Sequence, residues 1–127
     1  MASFFTDLTT TAIAQSLDAS AMRHRVIADN IANVETPGFK RSEVSFESKL
    51  KSALESLNSD MAMRTIEGME PDVEQDTQSP ARADGNNVSI DREMADLTKN
   101  SLEYETLTRL MTMKGSMIQT VLTEGRR

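Results

Sequence analysis

Apolar residues fall at helical spacing in two long stretches, one toward each end of the chain, and thin out between them. From about Thr6 to Asn33, with no Pro or Gly, steps of three and four from Ile13 land on Leu17, Ser20, His24, Ile27 and Ile31, which is the period of one helix face. Thr6 is placed to cap this helix and Asp7 to occupy its first turn. Ala14, Ala21, Ala28 and Ala32 keep the flanks of the seam small, so a second helix can approach closely. His24, alone on that seam, reads as a packed, hydrogen-bonded residue rather than a titrating switch.

A second helix is predicted from Ser89, as N-cap, to about Leu122, with Asp91 and Glu93 favourable to its dipole. Its seam runs Ile90, Met94, Leu97, Ser101, Tyr104, Thr108, Met111, Gly115, Ile118 and Leu122. Another apolar set, Leu102, Leu110, Met113, Met117 and Val121, lies on the opposite side, so toward its C-terminal end this helix needs partners on two sides. One other long helix covers only one of them, and the remainder invites association. The pattern therefore predicts a subunit interface at those five residues and a chain that becomes ordered on assembly.

Between the long helices, Phe46, Leu50, Leu54 and Leu57 mark a short amphipathic helix of about three turns. Residues 58–87 mix Asn, Ser, Asp, Glu, Gln and Thr with Pro71, Pro80 and an Asp84-Gly85 turn signal, and read as an irregular loop anchored by Met61, Met63, Ile66 and Met69. The predicted fold is all-α. Long N- and C-terminal helices form a coiled-coil-like pair along Ile13, Leu17, Ile27, Ile31, Met94, Leu97, Tyr104, Met111, Ile118 and Leu122. They are joined by the short helix and the loop. The organisation is 1–40, 41–87 and 88–127, together one axial domain.

Charge sharpens this division. The net charge of −6 over 127 residues separates into −1 for residues 1–33, −5 for 34–87 and 0 for 88–127, so the acidity belongs to the connecting segment. Without a basic cluster the chain is not suited to nucleic acid, and no apolar run approaches the roughly 18 residues of a membrane span. Met1 to Asp7 has neither a basic n-region nor a long apolar core, so no cleaved signal peptide is expected. With no Cys, one His and five scattered Gly, thiolate and multi-histidine metal sites, cysteine nucleophiles and phosphate-cradling loops are excluded. The acidic middle lacks the ligand spacing of a calcium loop, and the methionines read as adaptable packing. No enzyme activity and no cofactor are expected.

The most specific stretch is Asp29-Asn30-Ile31-Ala32-Asn33-Val34-Glu35-Thr36-Pro37-Gly38-Phe39-Lys40. Physically it stops a helix: Asn33 is suited to left-handed geometry, Thr36 before Pro37 is driven out of the helical region, and Pro37-Gly38 turns the chain. Phe39 then anchors the returning strand on an apolar surface. Asn30, Ile31 and Asn33 followed by Thr36, Pro37, Gly38 and Phe39 closely resemble the N-terminal signature of the flagellar rod and hook family. Asp84-Gly85-Asn86-Asn87-Val88, Asp91-Arg92-Glu93-Met94 and Asn100-Ser101-Leu102-Glu103-Tyr104 are similar to its proximal-rod members.

That resemblance implies a structural subunit of the proximal rod of the bacterial flagellar basal body, joining the membrane ring and export gate to the outer rod. It also implies export through the flagellar type III apparatus and folding on assembly. The implied partners are other copies of this chain, the rod proteins FlgC and FlgF, FliE, and the FliF ring or export gate. Another proximal rod subunit, FlgC-like, and a soluble helical adaptor or chaperone of flagellar export remain the alternatives.

Overall fold

A computed structural model describes residues 7–56 and 58–125, and among them helix predominates. Helix α1, Leu8–Ala32, begins at Asp7, whose carboxylate accepts the Thr10 amide at 2.8 Å. The expected cap Thr6 lies outside the described residues. The chain then forms β1 (Ser42–Ser45), α2 (Glu47–Ser56), α3 (Ser59–Glu67), β2 (Asp72–Gln75) and α4 (Ile90–Glu124).

The middle segment corrects the expectation of one short helix and an irregular loop. Helix α2 accounts for the first apolar period, though Leu57 lies outside the described residues. In place of the loop's first part stands α3. Asn58 caps it by accepting the Met61 amide at 3.0 Å, its one face buries Ala62 and Ile66, and Gly68 closes it. The chain is therefore not purely helical, because β1 and β2 pair antiparallel with Val44 opposite Val73.

Helix α1 is the central element. One side runs along α4, and the others receive β1 and α3. The order of contacts, Asn30 with Glu93, Ser20 with Asn100 and Asp7 with Lys114, makes α1 and α4 antiparallel. The apolar core is small: Phe46 and Ile66 are 1% and 0% exposed, with Ala19, Ile27, Val44, Ala53, Ala62 and Val88 also buried. Fully burying a side chain the size of Phe46 or Ile66 contributes about 1.5–3 kcal/mol, so these two carry much of the apolar driving force.

Side chains from outside the ribbon complete it. Asp76 donates its amide to the Arg41 carbonyl at 2.9 Å, so the rungs of the ladder fall at residues 41/76, 43/74 and 45/72, and the backbone N–H and C=O groups of Ser42 and Val44 point away from β2. The amide of Asn30 accepts the Ser42 N–H at 2.9 Å and donates to the Ser42 carbonyl at 2.9 Å. Arg23 donates to the Val44 carbonyl at 3.3 Å. At the ribbon mouth, the Asn87 amide accepts the Arg41 N–H at 2.7 Å and donates to the Asp76 carbonyl at 2.6 Å. It bridges the two strands where they begin to part.

Candidate functional site

Two regions carry chemistry, and the first is a buried polar knot at the exit of α1. Arg41, 2% exposed, donates through Nε to Glu93 Oε1 at 2.7 Å, and Glu93, 0% exposed, accepts from Asn30 Nδ2 at 3.0 Å. Arg41 Nη1 also meets Glu43 and, at 3.2 Å, Asp76, while Nη2 lies 3.6 Å from Asp96. Burial works against the Arg41 charge, but its hydrogen bonds to Glu93, Glu43 and Asp76 overcome that and raise its pKa above the ordinary arginine value. Asp76 is held well below the usual carboxylate range, first by the Ser79 hydroxyl and then by the Ser79 amide.

The family-like residues meet here. Asn86, 0% exposed, donates to the carbonyls of Asn33, Val34 and Thr36 at 2.9, 3.2 and 2.8 Å. The last helical carbonyls, Asp29 to Ile31, are met by the Asn33 and Val34 amides, and the carbonyls of the exit turn that follows receive their donor from a side chain on the far side of the connecting segment. Asn33 is not left-handed as expected: its φ is −104°, and its side chain donates back to the Asp29 carbonyl at 2.8 Å. With the carbonyls satisfied by Asn86, the reversal falls to Gly38, with φ +72°. Gly38 donates its amide to the Asp84 carbonyl at 2.8 Å and faces Gly85, φ +84°. A Cβ at Gly85 would sit 3.4 Å from the Gly38 Cα, so two backbones meet at van der Waals distance. Ile31 and Phe39 are half-buried, while Thr36 and Pro37 are exposed at the turn.

The second region is α4. On its α1 side lie Glu93 and Asn100, buried, and Leu97, Leu107, Met111, Lys114 and Ile118, half-buried. Ser20 donates to Asn100 at 2.9 Å, and Asn100 donates back to the Ser20 carbonyl at 2.9 Å. Of the predicted seam, Ile27 is buried, and Ile13, Leu17, Ile31, Leu97, Met111 and Ile118 are half-buried. Met94, Tyr104 and Leu122 are 45–50% exposed. Hydropathy alone does not anticipate that Glu93 and Asn100 turn inward, drawn by Arg41, Asn30 and Ser20. His24, expected to be packed, is exposed.

On the outer side of α4, Leu102, Leu110, Met113, Met117 and Val121 are exposed, from 45% at Leu110 to 69% at Val121. No described element covers them. Between α1, β1 and α4 opens a cleft of about 330 Å³ lined by Arg23, Glu47, Arg92, Asp96, Lys99 and Glu103. Within it Arg23 pairs with Glu47 at 2.5 Å and with Glu103 at 3.5 Å. Burial opposes ionisation of Glu47, but its own backbone amide and Arg23 lower its pKa. Among the described residues no group of His, Cys, Asp and Glu is arranged to hold a metal ion, and no helix is long and apolar enough to cross a membrane.

Sequence reasoning missed Arg41, Asp76 and the roles of Asn86, Asn87 and Glu93. The signal available was indirect, since three of these five lie inside the stretches that carry the proximal-rod resemblance.

Comparison with known proteins bears on both regions. The family model described as flagella basal body rod protein matches residues 10–40, which span α1 and the exit motif. The chain is 32% identical over 118 residues to the flagellar basal body rod protein FlgB of Bacillus subtilis, covering 87% of this chain and 90% of that protein. It is 38% identical over 109 residues to FlgB of Borrelia hermsii, covering 74% and 80%. It is 30% identical over 104 residues to FlgB of Escherichia coli, covering 72% and 75%.

Proposed function

Since the chain belongs to the FlgB family of flagellar basal body rod proteins and is a structural subunit of that rod, we propose that the outer face of α4 is where neighbouring rod subunits pack. The observation that carries this is the row Leu102, Leu110, Met113, Met117 and Val121, exposed along a helix whose other side is occupied by α1. Contiguous apolar surface of this kind marks an interaction site, and flexible Met113 and Met117 suit contact with non-identical neighbours. The near-neutral charge of residues 88–127 lets copies approach without strong repulsion.

In this reading the segments 1–40, 41–87 and 88–127 work as one axial unit held by the knot, with α1 and α4 a coiled-coil-like pair that neighbours extend. Its place is the proximal, periplasmic rod, reached by export. The partners are further copies, FlgC, FlgF, FliE and the FliF ring or export gate, and no catalytic step is assigned. The C-terminal half of α4 becomes fully ordered only when those partners cover it.

The test is the double variant Leu110→Glu, Met117→Glu in a strain carrying no other copy. The expected result is a chain with unchanged helicity that is absent from isolated basal bodies, and cells that do not swim. Motility at the parental level would remove this face from the assembly.

A further inference from the structure

Resting on the rod-subunit reading, we propose that the outer edge of β2 is a second docking surface, which pairs with an extended, basic segment of a neighbouring protein in the assembly. The two edges of the ribbon are treated differently. On β1 the outward groups of Ser42 and the Val44 carbonyl are taken by Asn30 and Arg23. On β2 the outward residues are Val73 and Gln75, both exposed, and among the described residues no hydrogen bond reaches their backbone groups. An open edge of this kind is a template for strand addition.

Charge selects the occupant. Residues 65–80 hold Glu67, Glu70, Asp72, Glu74 and Asp76 and no Lys or Arg. Asp72 is paired with Lys49, and Asp76 with Ser79 and Arg41. Glu74 has no ion pair among the described residues, and it sits directly opposite Glu43, an unfavourable like-charge neighbour. Glu43 is satisfied by Arg41 and, at 2.6 Å, by Arg92. A strand arriving on the open side places a Lys or Arg beside Glu74 and an apolar residue beside Val73, which is 51% exposed. A second copy of β2 does not fit, because its antiparallel registers set Glu74 against Glu74, Asp72 or Asp76 of the other copy.

The chain has no cysteine, so Val73→Cys carries a thiol-linked photoprobe at one position in assembled basal bodies. Illumination and sequencing of the adduct should identify a neighbour's extended segment with Lys or Arg at alternate positions. Gln75→Pro in the same background removes one outward N–H while leaving the rungs at 74 and 76, and should lower adduct yield about fivefold, the equivalent of one net hydrogen bond. Glu74→Lys should lower it as well, and Gln75→Thr should not. An adduct on a helix or on β2 of another copy, no adduct at all, or a yield indifferent to Gln75→Pro overturns the proposal. The amount of unsubstituted chain recovered in basal bodies reports separately on the rod reading.

Discussion

The knot at the exit of α1 and the far half of α4 invert the usual arrangement of a small domain. In the knot, polar groups are buried and paired: Asn30, Arg41, Asn86 and Glu93 are each at most 2% exposed, and every one is hydrogen-bonded. On α4 the large apolar side chains stand in water, Val121 at 69%. The difference teaches how labour is divided. Directional hydrogen bonds admit one geometry and set how the chain leaves α1 and meets α4. Apolar contact is non-directional, which suits surfaces that must meet more than one neighbour.

Breaking the knot should have the largest effect on the fold. Glu93→Ala leaves the Arg41 charge buried without its fully buried partner and should cost about 3–5 kcal/mol, read as a lowered denaturant midpoint by circular dichroism. A loss below about 1 kcal/mol would mean that Glu43, Asp76 and Asp96 compensate. Asn86→Ala strips donors from three carbonyls and should cost roughly 1–3 kcal/mol, with faster amide exchange at residues 33–38. Gly38→Ala meets no steric neighbour but forces a side chain into positive φ, at about 1–2 kcal/mol.

The other half of the comparison predicts small effects on the isolated chain. Hydrogen exchange should be slow at Arg41, Ser42 and Val88 and fast beyond about Leu110, and assembly should slow only the second group. Equal protection of both regions in a verified monomer would erase the contrast. The smallest effect is at Asp7, whose pKa is held at about 2, first by the Lys114 hydrogen bond and then by the Thr10 amide, against an ordinary 3.8. A depressed carboxylate contributes above its unfolded value, so this contribution is present above about pH 4 and fades as pH falls through 2. Asp7 is exposed, and the pair should be worth under about 1 kcal/mol. In Asp7→Asn that part of the acid dependence should vanish.

How much of this was legible in the sequence follows from what kind of force made each element. The long helices were, because their apolar periods persist over many turns; Leu8–Ala32 and Ile90–Glu124 differ from the expected spans by a residue or two. Helix α3 had readable signals, with Asn58 to start it and Gly68 to end it, but polar composition and neighbouring prolines outweighed them. The ribbon had almost none. Asp72 and Glu74 are poor strand formers, and the strands exist because Asn30, Asn87 and Arg23 hold their backbones from outside. In the site, the exit motif was visible as a stop signal. Its partners were not, since Asn86 and Glu93 act 53 and 63 residues away from the helix end they serve.

The ribbon mouth also bears on chain length. The connecting segment leaves the knot at Arg41 and returns at Asp76, where the two backbones are already hydrogen-bonded at 2.9 Å. Whatever lies between begins and ends at the same spot, and doubling such a loop adds only about 0.6 kcal/mol of closure entropy. Closure thus sets little limit on how long that segment can grow, whereas trimming it would remove Phe46 and Ile66 from the core. An insertion at its far end would leave the knot, and the two helices it joins, in place.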